Sequence, residues 1–414
     1  MRPIRKLLLW VVVSPFLVLS SCMKDKITRT YQIAVPVIAD KSAVLASIKA
    51  SPSVMPSNTG KIFVYGRYIF MNEPGKGVHM IDNLNPATPK FRAFIPVPGN
   101  YDIAVKGNIL YADMHTDLLA IDITDPLMPE LKKVVADVFP DRRYQMGYFV
   151  DTNKVIVGWN VKDTTVKVGD ELNAIPGWGC VNCLMELGGN SNVRSATGQA
   201  GSMSRMVIVN DHLYSVSNSY LSVHDISQAA DPVKQNGMYW GGDLETLFPF
   251  KDKLFIGSAS GLLIADISNP VQPTMTGVFA HARACDPVVT DGEKAYVTLR
   301  SGNFCAGTID QLDIVDVKNV NAPFLIKTYP MFNPHGLGLK GNFLYLCDGD
   351  DGLKVYDVTQ SNAIRLVEQL KMEDAYDVII QDNLLLLVAG KGLYQYQLLA
   401  DGRLKLISVF TIHS

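Results

Sequence analysis

Apolar and polar residues alternate with a period of two along most of the chain, in short runs separated by turns rich in Gly, Asn, Asp and Pro. The clearest stretch holds four such runs, at residues 335–339, 343–347, 353–358 and 365–370. Each run has the length of a half-buried β-strand, and the short turns between them predict antiparallel neighbours. No long segment has apolar residues at helical spacing, so the pattern predicts an all-β protein.

The third of these four strands recurs along the chain as an apolar run that ends in a polar residue. It is clearest in Gly352-Leu-Lys-Val-Tyr-Asp357 and in Gly261-Leu-Leu-Ile-Ala-Asp266. Seven copies end at Asp82, Asp122, Asp225, Asp266, Asp316, Asp357 and Gln397, and all gaps but one between them are 40 to 50 residues. Four antiparallel strands in a unit of this length, with no helix between units, are typical of a β-propeller blade.

The number of blades depends on the one exceptional gap, because 103 residues separate Asp122 from Asp225. The gap holds either two units or one unit with a long insertion. Residues 150–159 and 164–168 are interpreted as two strands around a turn, and therefore as a degenerate third unit. We expect eight blades of four antiparallel strands over residues 60–413, with seven as the alternative and a long loop around residues 169–204.

The recurrent aspartate at the end of the third strand is interpreted as structural. It is followed by Ile or Val and then by an Asn-Pro or Asp-Pro turn, as in Asp266-Ile-Ser-Asn-Pro270. A short carboxylate at this place accepts hydrogen bonds from the N–H groups of the turn and fixes the reversal between the third and fourth strands.

The N-terminus has the pattern of an export signal. Arg2, Arg5 and Lys6 precede an apolar run over residues 7–19, which is too short to span a bilayer. The run ends in Leu19-Ser-Ser-Cys22, which resembles the lipobox of bacterial lipoproteins. That resemblance implies a signal peptide over residues 1–21, acylation of Cys22 as a membrane anchor, and a lipidated tether and lead-in over residues 22–59.

The repeated strand also resembles a known family. Leu-Ala-Ile-Asp122-Ile, Leu-Asp-Ile-Val-Asp316-Val and Leu-Lys-Val-Tyr-Asp357-Val are similar to the LVIVD repeat. Together with the lipobox, they resemble the LVIVD-repeat lipoproteins of Bacteroidetes, and Lys24-Asp25 resembles part of the short charged signal for the outer surface in that group. The resemblance implies a propeller on the outer membrane, on either of its sides, and it supplies no catalytic residue.

The charge of the chain excludes one class of partner. A net charge of −2, a pI near 6.4 and the absence of a basic block argue against a nucleic-acid partner.

Five cysteines follow Cys22, and an exported protein is permitted disulfides. The candidate pairs are Cys180 with Cys183 and Cys285 with Cys305, which leaves Cys347 odd; free thiols and metal or redox chemistry stay as alternatives.

Polar residues near the start of the innermost strands form a candidate ligand site at the mouth of the central channel. The set is Asp102, Arg205, Glu245, Asp286, His335 and Asp377. Such a ring suits a cation, or a cationic or hydroxylated ligand. The alternative is that these residues cap the innermost strands and bind neighbouring blades through hydrogen bonds.

Other chemistries have weaker support. Asp348-Gly-Asp350-Asp351 resembles a calcium-loop fragment without the final Glu, and we expect a solvated turn there. His115 and His335 have no metal-ligand spacing, and no Gly-x-Ser-x-Gly nucleophile motif occurs. No cofactor is expected.

Three functions follow from these observations. The first is a non-catalytic binding or scaffolding module on the envelope, with a protein or glycan partner. The second is a hydrolase or lyase that acts on an extracellular polymer through the carboxylates of the channel mouth. The third is a structural role, in which cysteine-stabilised blades stack against a partner lipoprotein.

Overall fold

The computed structural model of the chain describes residues 28–52, 55–58, 60–167, 202–203, 205–281, 287–301 and 309–411. The acylation site and the candidate disulfides fall outside these ranges, as does one candidate ligand-binding residue: Cys22, Cys180, Cys183, Cys285, Cys305 and Asp286.

Seven four-stranded antiparallel sheets follow one another along the chain, and they form the blades of a propeller. Two strands precede the first blade, β1 (Thr28–Asp40) and β2 (Ser51–Pro52), with a short helix α1 (Lys41–Ala46) between them. Blade 1 consists of β3 (Ile62–Tyr65), β4 (Tyr68–Glu73), β5 (Gly77–Asp82) and β6 (Lys90–Pro96), and β2 extends its outer edge. Blade 2 consists of β7 (Ile103–Lys106), β8 (Ile109–Met114), β9 (Asp117–Asp122) and β10 (Glu130–Val135).

A 3-10 helix (Pro140–Arg143) and three further strands come before blade 3: β11 (Tyr144–Gln145), β12 (Tyr148–Phe149) and β13 (Lys154–Lys167). Blade 3 consists of β14 (Met206–Val209), β15 (His212–Ser217), β16 (Tyr220–Asp225) and β17 (Val233–Tyr239). Blade 4 consists of β18 (Leu244–Phe250), β19 (Lys253–Ser258), β20 (Gly261–Asp266) and β21 (Thr274–Ala280).

The last three blades complete the ring. Blade 5 consists of β22 (Val288–Thr290), β23 (Lys294–Leu299), β24 (Gln311–Asp316) and β25 (Phe324–Pro330). Blade 6 consists of β26 (Leu337–Lys340), β27 (Phe343–Cys347), β28 (Leu353–Asp357) and β29 (Arg365–Leu370). Blade 7 consists of β30 (Asp377–Gln381), β31 (Leu384–Ala389), β32 (Gly392–Leu398) and β33 (Leu404–Thr411). No described helix is long and apolar enough to cross a membrane.

Burial falls from the inner strands of a blade to its outermost strand. The strands β8 and β9 of blade 2 are almost wholly buried, whereas β17 at the edge of blade 3 is mostly exposed. Inner strands are buried on both faces because every sheet packs between two neighbouring sheets. Their sequences are therefore nearly continuous apolar runs, and only the outer strands have the alternation of a half-buried strand.

The expected count of eight blades is wrong, and the alternative of seven is confirmed. Residues 154–167 are not two strands around a turn: they form the single strand β13, which pairs along its whole length with β1 in a separate antiparallel ribbon. The gap between Asp122 and Asp225 therefore holds one blade preceded by an insertion. The partner of β13 lies more than a hundred residues away in sequence, so a search for local repeats cannot detect this pairing.

Each blade consists of four consecutive strands, so the ring closes between blades 7 and 1 through side chains. Asn83 and Gln395 exchange two amide hydrogen bonds of 2.9 and 2.8 Å in the buried interface. Phe91 stacks edge-on against Phe410, with ring centroids 4.3 Å apart. Apolar side chains of both blades share one core cluster, which includes Ile62, Met71, Ile379 and Leu386.

The structural interpretation of the recurrent aspartate is confirmed. In the first six blades, its Oδ1 accepts a hydrogen bond of 2.7 to 3.1 Å from the backbone N–H two residues later. The donors are Leu84, Thr124, Ser227, Ser268, Lys318 and Thr359. This bond forms an Asx turn between the third and fourth strands, at the same place in each blade.

Tyrosines on the second strand link successive blades. Tyr111 donates its hydroxyl hydrogen to the Ala229 carbonyl at 2.7 Å, and Tyr345 donates to the Gly402 carbonyl at 3.1 Å. Tyr214 makes the equivalent bond to Pro270 at 3.0 Å. In each case the acceptor lies in the turn between the third and fourth strands of the next blade, so the repeat specifies contacts between blades as well as within them.

Candidate functional site at the channel mouth

The strand registers align the innermost strands of the seven blades and show which residues are equivalent at the channel mouth. In each blade, the recurrent residue at the end of the third strand pairs with a known residue of the second strand. The second strand in turn pairs with the first, so equivalent residues of the first strands can be identified. One set of equivalent residues lies at the start of the seven innermost strands: Lys61, Asp102, Arg205, Thr246, Pro287, Gly336 and Asp377. One residue earlier lie Glu245, His335 and Tyr376.

The predicted ring therefore combines two different positions. Asp102, Arg205 and Asp377 are equivalent, but Glu245 and His335 are one residue out of step with them. Glu245 is the extra residue of a β-bulge, because Leu244 pairs with Ser258 while Thr246 pairs with Gly257. A shift of one residue turns a strand side chain to the opposite face, so the five of these residues that the structure describes do not form one ring.

Asp102 holds three blades together. Its Oδ1 accepts a 2.7 Å bond from the N–H of Ile103, and its Oδ2 accepts a 3.0 Å bond from the backbone N–H of Arg205 in blade 3. The ammonium of Lys61, which precedes blade 1, lies 2.7 Å from the same Oδ2. Lys61 and Asp102 are 1 % and 0 % exposed, so this ion pair is inside the protein.

Lys61 was missed by the sequence analysis. The signal was present, because Lys61 directly precedes the first apolar strand of blade 1 as Asp102 directly precedes that of blade 2. A lone lysine before a strand is usually solvated, so the sequence alone does not single it out. Its role is visible only when Asp102 is known to lie beside it.

Burial dominates the electrostatics of this ion pair. Desolvation lowers the pKa of Lys61 to about 8, against the opposing attraction of Asp102. Desolvation likewise raises the pKa of Asp102 to about 6, against the attraction of Lys61. Both groups are charged between these two values, and this is where the cost of keeping the ion pair away from water is greatest.

A second set of carboxylates binds the loops that enter the blades. The Oδ1 of Asp113, at the end of β8, accepts bonds of 2.7 to 2.8 Å from the Asn100 side chain and from the backbone N–H groups of Tyr101 and Asp102. Its Oδ2 is paired with Arg142. Asp113 thus fixes the loop that carries Asp102, and its carboxylate is fully engaged inside the protein.

Asp348 has the same role in blade 6. It accepts hydrogen bonds from the backbone N–H groups of Phe332 and Asn333 at 3.0 and 2.9 Å, and Lys354 lies 2.5 Å from its other oxygen. The expectation of a solvated turn is therefore wrong for Asp348, which is 0 % exposed. Within the described ranges, no group of three or more His, Cys, Asp or Glu side chains is placed to hold a metal ion.

The segment Ser202–Met203 lies in the channel itself. The Ser202 hydroxyl accepts a 2.9 Å bond from the Leu337 N–H of blade 6, and Met203 packs in the core cluster that blades 1 and 7 share. Ser202 is 0 % and Met203 6 % exposed. The chain then continues to Arg205, whose N–H binds Asp102 of blade 2. The central channel is the place that all of these blades border. Ser202 and Met203 therefore occupy the channel, and we call them the plug.

His335 lies beside Arg300 and Tyr376. Its Nε2 is 3.4 Å from an Arg300 nitrogen, and its ring is edge-on to the Tyr376 ring with centroids 5.2 Å apart. Desolvation, together with the charge of Arg300, lowers the pKa of His335 well below its usual value. The imidazole is therefore neutral at physiological pH.

His115 holds the β1–β13 ribbon against blade 2. Its Nε2 donates to the Ile156 carbonyl at 2.7 Å, and its Nδ1 accepts from the Gln145 side chain at 2.6 Å. Both ring nitrogens are used, so His115 has a structural role. Cys347, the odd cysteine of the sequence, is a free thiol in the core, and burial raises its pKa well above the usual value.

Comparisons with known proteins agree with this architecture. The LVIVD repeat family matches three segments, residues 100–137, 254–280 and 335–372, which lie in blades 2, 4 and 6. A search of curated protein sequences finds no match. The molecule is thus a seven-bladed β-propeller that carries LVIVD repeats.

Two solved structures are similar over most of their length. A protein from Lactobacillus plantarum aligns with a TM-score of 0.51 and 11 % identity, over 93 % of this chain and 97 % of that one. BamB from Moraxella catarrhalis aligns with a TM-score of 0.50 and 9 % identity, over 89 % of this chain and 99 % of that one. At such identities the likeness shows the fold alone.

Proposed function

We propose that the chain is an envelope-anchored lipoprotein whose propeller is a non-catalytic binding or scaffolding module. The anchor is Cys22 at the end of its lipobox, and the Lys24-Asp25 pair supports the outer membrane as its location. The observation that carries the non-catalytic part is the state of Asp102. A carboxylate that is 0 % exposed and held by Lys61, Ile103 and Arg205 cannot reach a polymer.

The ribbon supports the anchored arrangement. Its strand β1 begins at Thr28, close after Cys22, and pairs with β13 over 13 residues, which is about 43 Å of extended chain at 3.3 Å per residue. At the propeller end, Lys41 is paired with Asp117 of blade 2, and its backbone N–H binds the Asn153 carbonyl at 2.9 Å. The lead-in from the anchor is thus a paired ribbon fixed to blade 2.

The anchoring is tested by the variant Cys22→Ala, with Lys24→Ala/Asp25→Ala as the matched control. We expect metabolic labelling with an alkynyl fatty acid to mark the wild type and the control but not Cys22→Ala. We also expect whole-cell protease treatment to degrade the wild type and to spare the control. Acylation of Cys22→Ala would refute the anchor, and equal protection of wild type and control would place the protein on the inner side.

The hydrolase alternative is tested with Glu245→Gln/Asp286→Asn. We expect the wild-type lipoprotein to release no product from envelope polysaccharides. Turnover by the wild type that this double variant abolishes, while polymer binding persists, would refute the non-catalytic proposal.

A further inference from the structure

Exposed aromatic side chains are concentrated in two strand pairs. Six Tyr and Phe side chains are exposed in the described ranges, and four of them form these pairs: Tyr144 with Phe149, and Tyr220 with Tyr239. The four are 47 to 69 % exposed. By contrast, the exposed apolar side chains on the outer strands of blades 4, 6 and 7 are not aromatic. A surface cluster of large apolar side chains is typical of a binding site.

A series of direct contacts joins the two pairs. Tyr144 lies opposite Phe149 in the β11–β12 hairpin, and its backbone N–H binds the Asp141 carbonyl of the 3-10 helix. The carboxylate of Asp141 accepts a hydrogen bond from the Ser217 hydroxyl of blade 3. Ser217 lies opposite Tyr220 in the β15–β16 pair, so both side chains are on the same face of that blade. The first pair is therefore linked to blade 3 directly beside the second pair.

The second pair continues the row. Tyr220 lies opposite Tyr239 across β16 and β17, and their rings are edge-on with centroids 5.4 Å apart. Opposite residues of an antiparallel pair are about 5 Å apart, so a row of five such contacts from Phe149 to Tyr239 spans at most about 25 Å. We call Tyr144, Phe149, Tyr220, Tyr239 and Asp141 the aromatic strip.

Contacts with blade 2 and with the ribbon hold the hairpin half of the strip in place. Arg142, in the 3-10 helix, is paired with the buried Asp113 of blade 2. Tyr148, in the hairpin, packs edge-on against Trp159 of β13, with ring centroids 6.0 Å apart. A surface that is ordered before binding loses little conformational entropy when a ligand binds.

The area of the aromatic strip is small for a protein partner. An aromatic side chain has about 200 Å² of surface, so the exposed fractions of the four rings amount to about 500 Å². A stable protein interface buries about 800 Å² on each partner. A sugar ring needs much less area, and its C–H groups are attracted to the negative face of an aromatic ring. Its hydroxyls can donate to the exposed Asp141, because a carboxylate accepts several hydrogen bonds.

We infer that the aromatic strip binds a glycan chain, with sugar rings stacked on its exposed Tyr and Phe side chains. The ligand is a chain and not a single sugar, because the strip extends well beyond one sugar ring. This inference rests on the proposed function, since it names the partner class of the binding module and the place where that partner binds. The site is at the junction of blades 2 and 3 rather than at the channel mouth, where Asp102 is enclosed.

The test is isothermal titration of the full lipoprotein in a detergent without a sugar headgroup. The probes are cellohexaose, maltohexaose, xylohexaose and N-acetylchitohexaose, with glucose as the single-ring control. We expect at least one hexasaccharide to bind, and glucose to bind at least about tenfold more weakly, because it can cover only one ring of the strip. No binding of any of the four hexasaccharides would refute the inference.

Tyr239→Ala and Phe149→Ala remove one ring from each end of the strip. Each should weaken hexasaccharide binding about three- to tenfold, and the double variant about ten- to hundredfold. Phe324→Ala is the matched control, because Phe324 is 58 % exposed on blade 5 and lies outside the strip, so the affinity should stay that of the wild type. Tyr239→Phe keeps the ring and should keep most of the affinity.

The outcomes separate this inference from the proposed function. An unchanged affinity in the double variant, or an equal loss in Phe324→Ala, would show that the glycan binds elsewhere; the inference then fails and the binding module stands. Dimers that sedimentation detects in the wild type but not in the double variant, without hexasaccharide binding, would make the strip an interface between two copies and overturn the inference. Cleavage of a hexasaccharide by the wild type would instead refute the non-catalytic proposed function.

Discussion

The ion pair between Lys61 and Asp102 makes a quantitative prediction. The substitution Lys61→Met keeps much of the side-chain volume but leaves the carboxylate of Asp102 alone in the interior, where it also holds Arg205 and Ile103. Removing one partner of a buried ion pair typically costs about 3–5 kcal/mol of unfolding free energy. An exposed ion pair is worth less than about 1 kcal/mol, so Lys132→Met, which breaks surface pairs with Glu130 and Asp122, is the control.

The destabilisation caused by Lys61→Met should depend on pH. The pKa of Asp102 is raised by folding to about 6, so its contribution to stability is present below the unfolded value and is lost as the pH rises through about 6. Without Lys61 the carboxyl takes up a proton still more readily. The destabilisation by Lys61→Met should therefore be largest near pH 7 and should shrink towards pH 5, where Asp102 becomes neutral.

Urea denaturation followed by tryptophan fluorescence at pH 5 and pH 7 measures this difference. The expected result is a loss of at least about 3 kcal/mol at pH 7 and a clearly smaller loss at pH 5, with little change for Lys132→Met at either pH. A loss below about 1 kcal/mol at pH 7, or a loss that does not depend on pH, would refute the argument that the two groups are paired in the interior.

Three more predictions concern how the ring is closed and filled. Gln395→Leu leaves the buried amide of Asn83 without its partner, so we expect a loss of about 2–4 kcal/mol and faster hydrogen exchange confined to blades 7 and 1, whereas uniform exchange would contradict closure at this interface. Met203→Ala should lower the unfolding free energy by about 2–5 kcal/mol, and a neutral result in urea denaturation would mean that the plug does not pack in the channel. His115→Ala removes the bond to Ile156, so limited proteolysis should cut the ribbon while the blades stay resistant; an unchanged digestion pattern would contradict that role.

Much of the fold follows from local patterns. In blade 6, the second and fourth strands have the bounds that the sequence predicted. The first strand begins two residues later than predicted, because His335 and Gly336 belong to the loop before Leu337. The turn-forming aspartates were predicted because an Asx turn depends on residues adjacent in sequence. The blade count failed at β13 because its pairing with β1 is long-range.

The site was less predictable for a related reason. A bulge at Glu245 shifts the register by one residue, and no period of two reveals such a shift before the strand partners are known. The partnership of Lys61 with Asp102, and the placement of Ser202 beside Leu337, each join distant parts of the chain. The sequence predicted that polar groups gather at the mouth, but which of them are already paired depends on how the ring closes.

The most direct test of the account is to incubate an envelope polysaccharide with the full lipoprotein and to measure both binding and product in the same sample. The account predicts saturable binding and complete recovery of the intact polysaccharide. Release of cleaved product by the wild type, abolished in Glu245→Gln/Asp286→Asn, would contradict it.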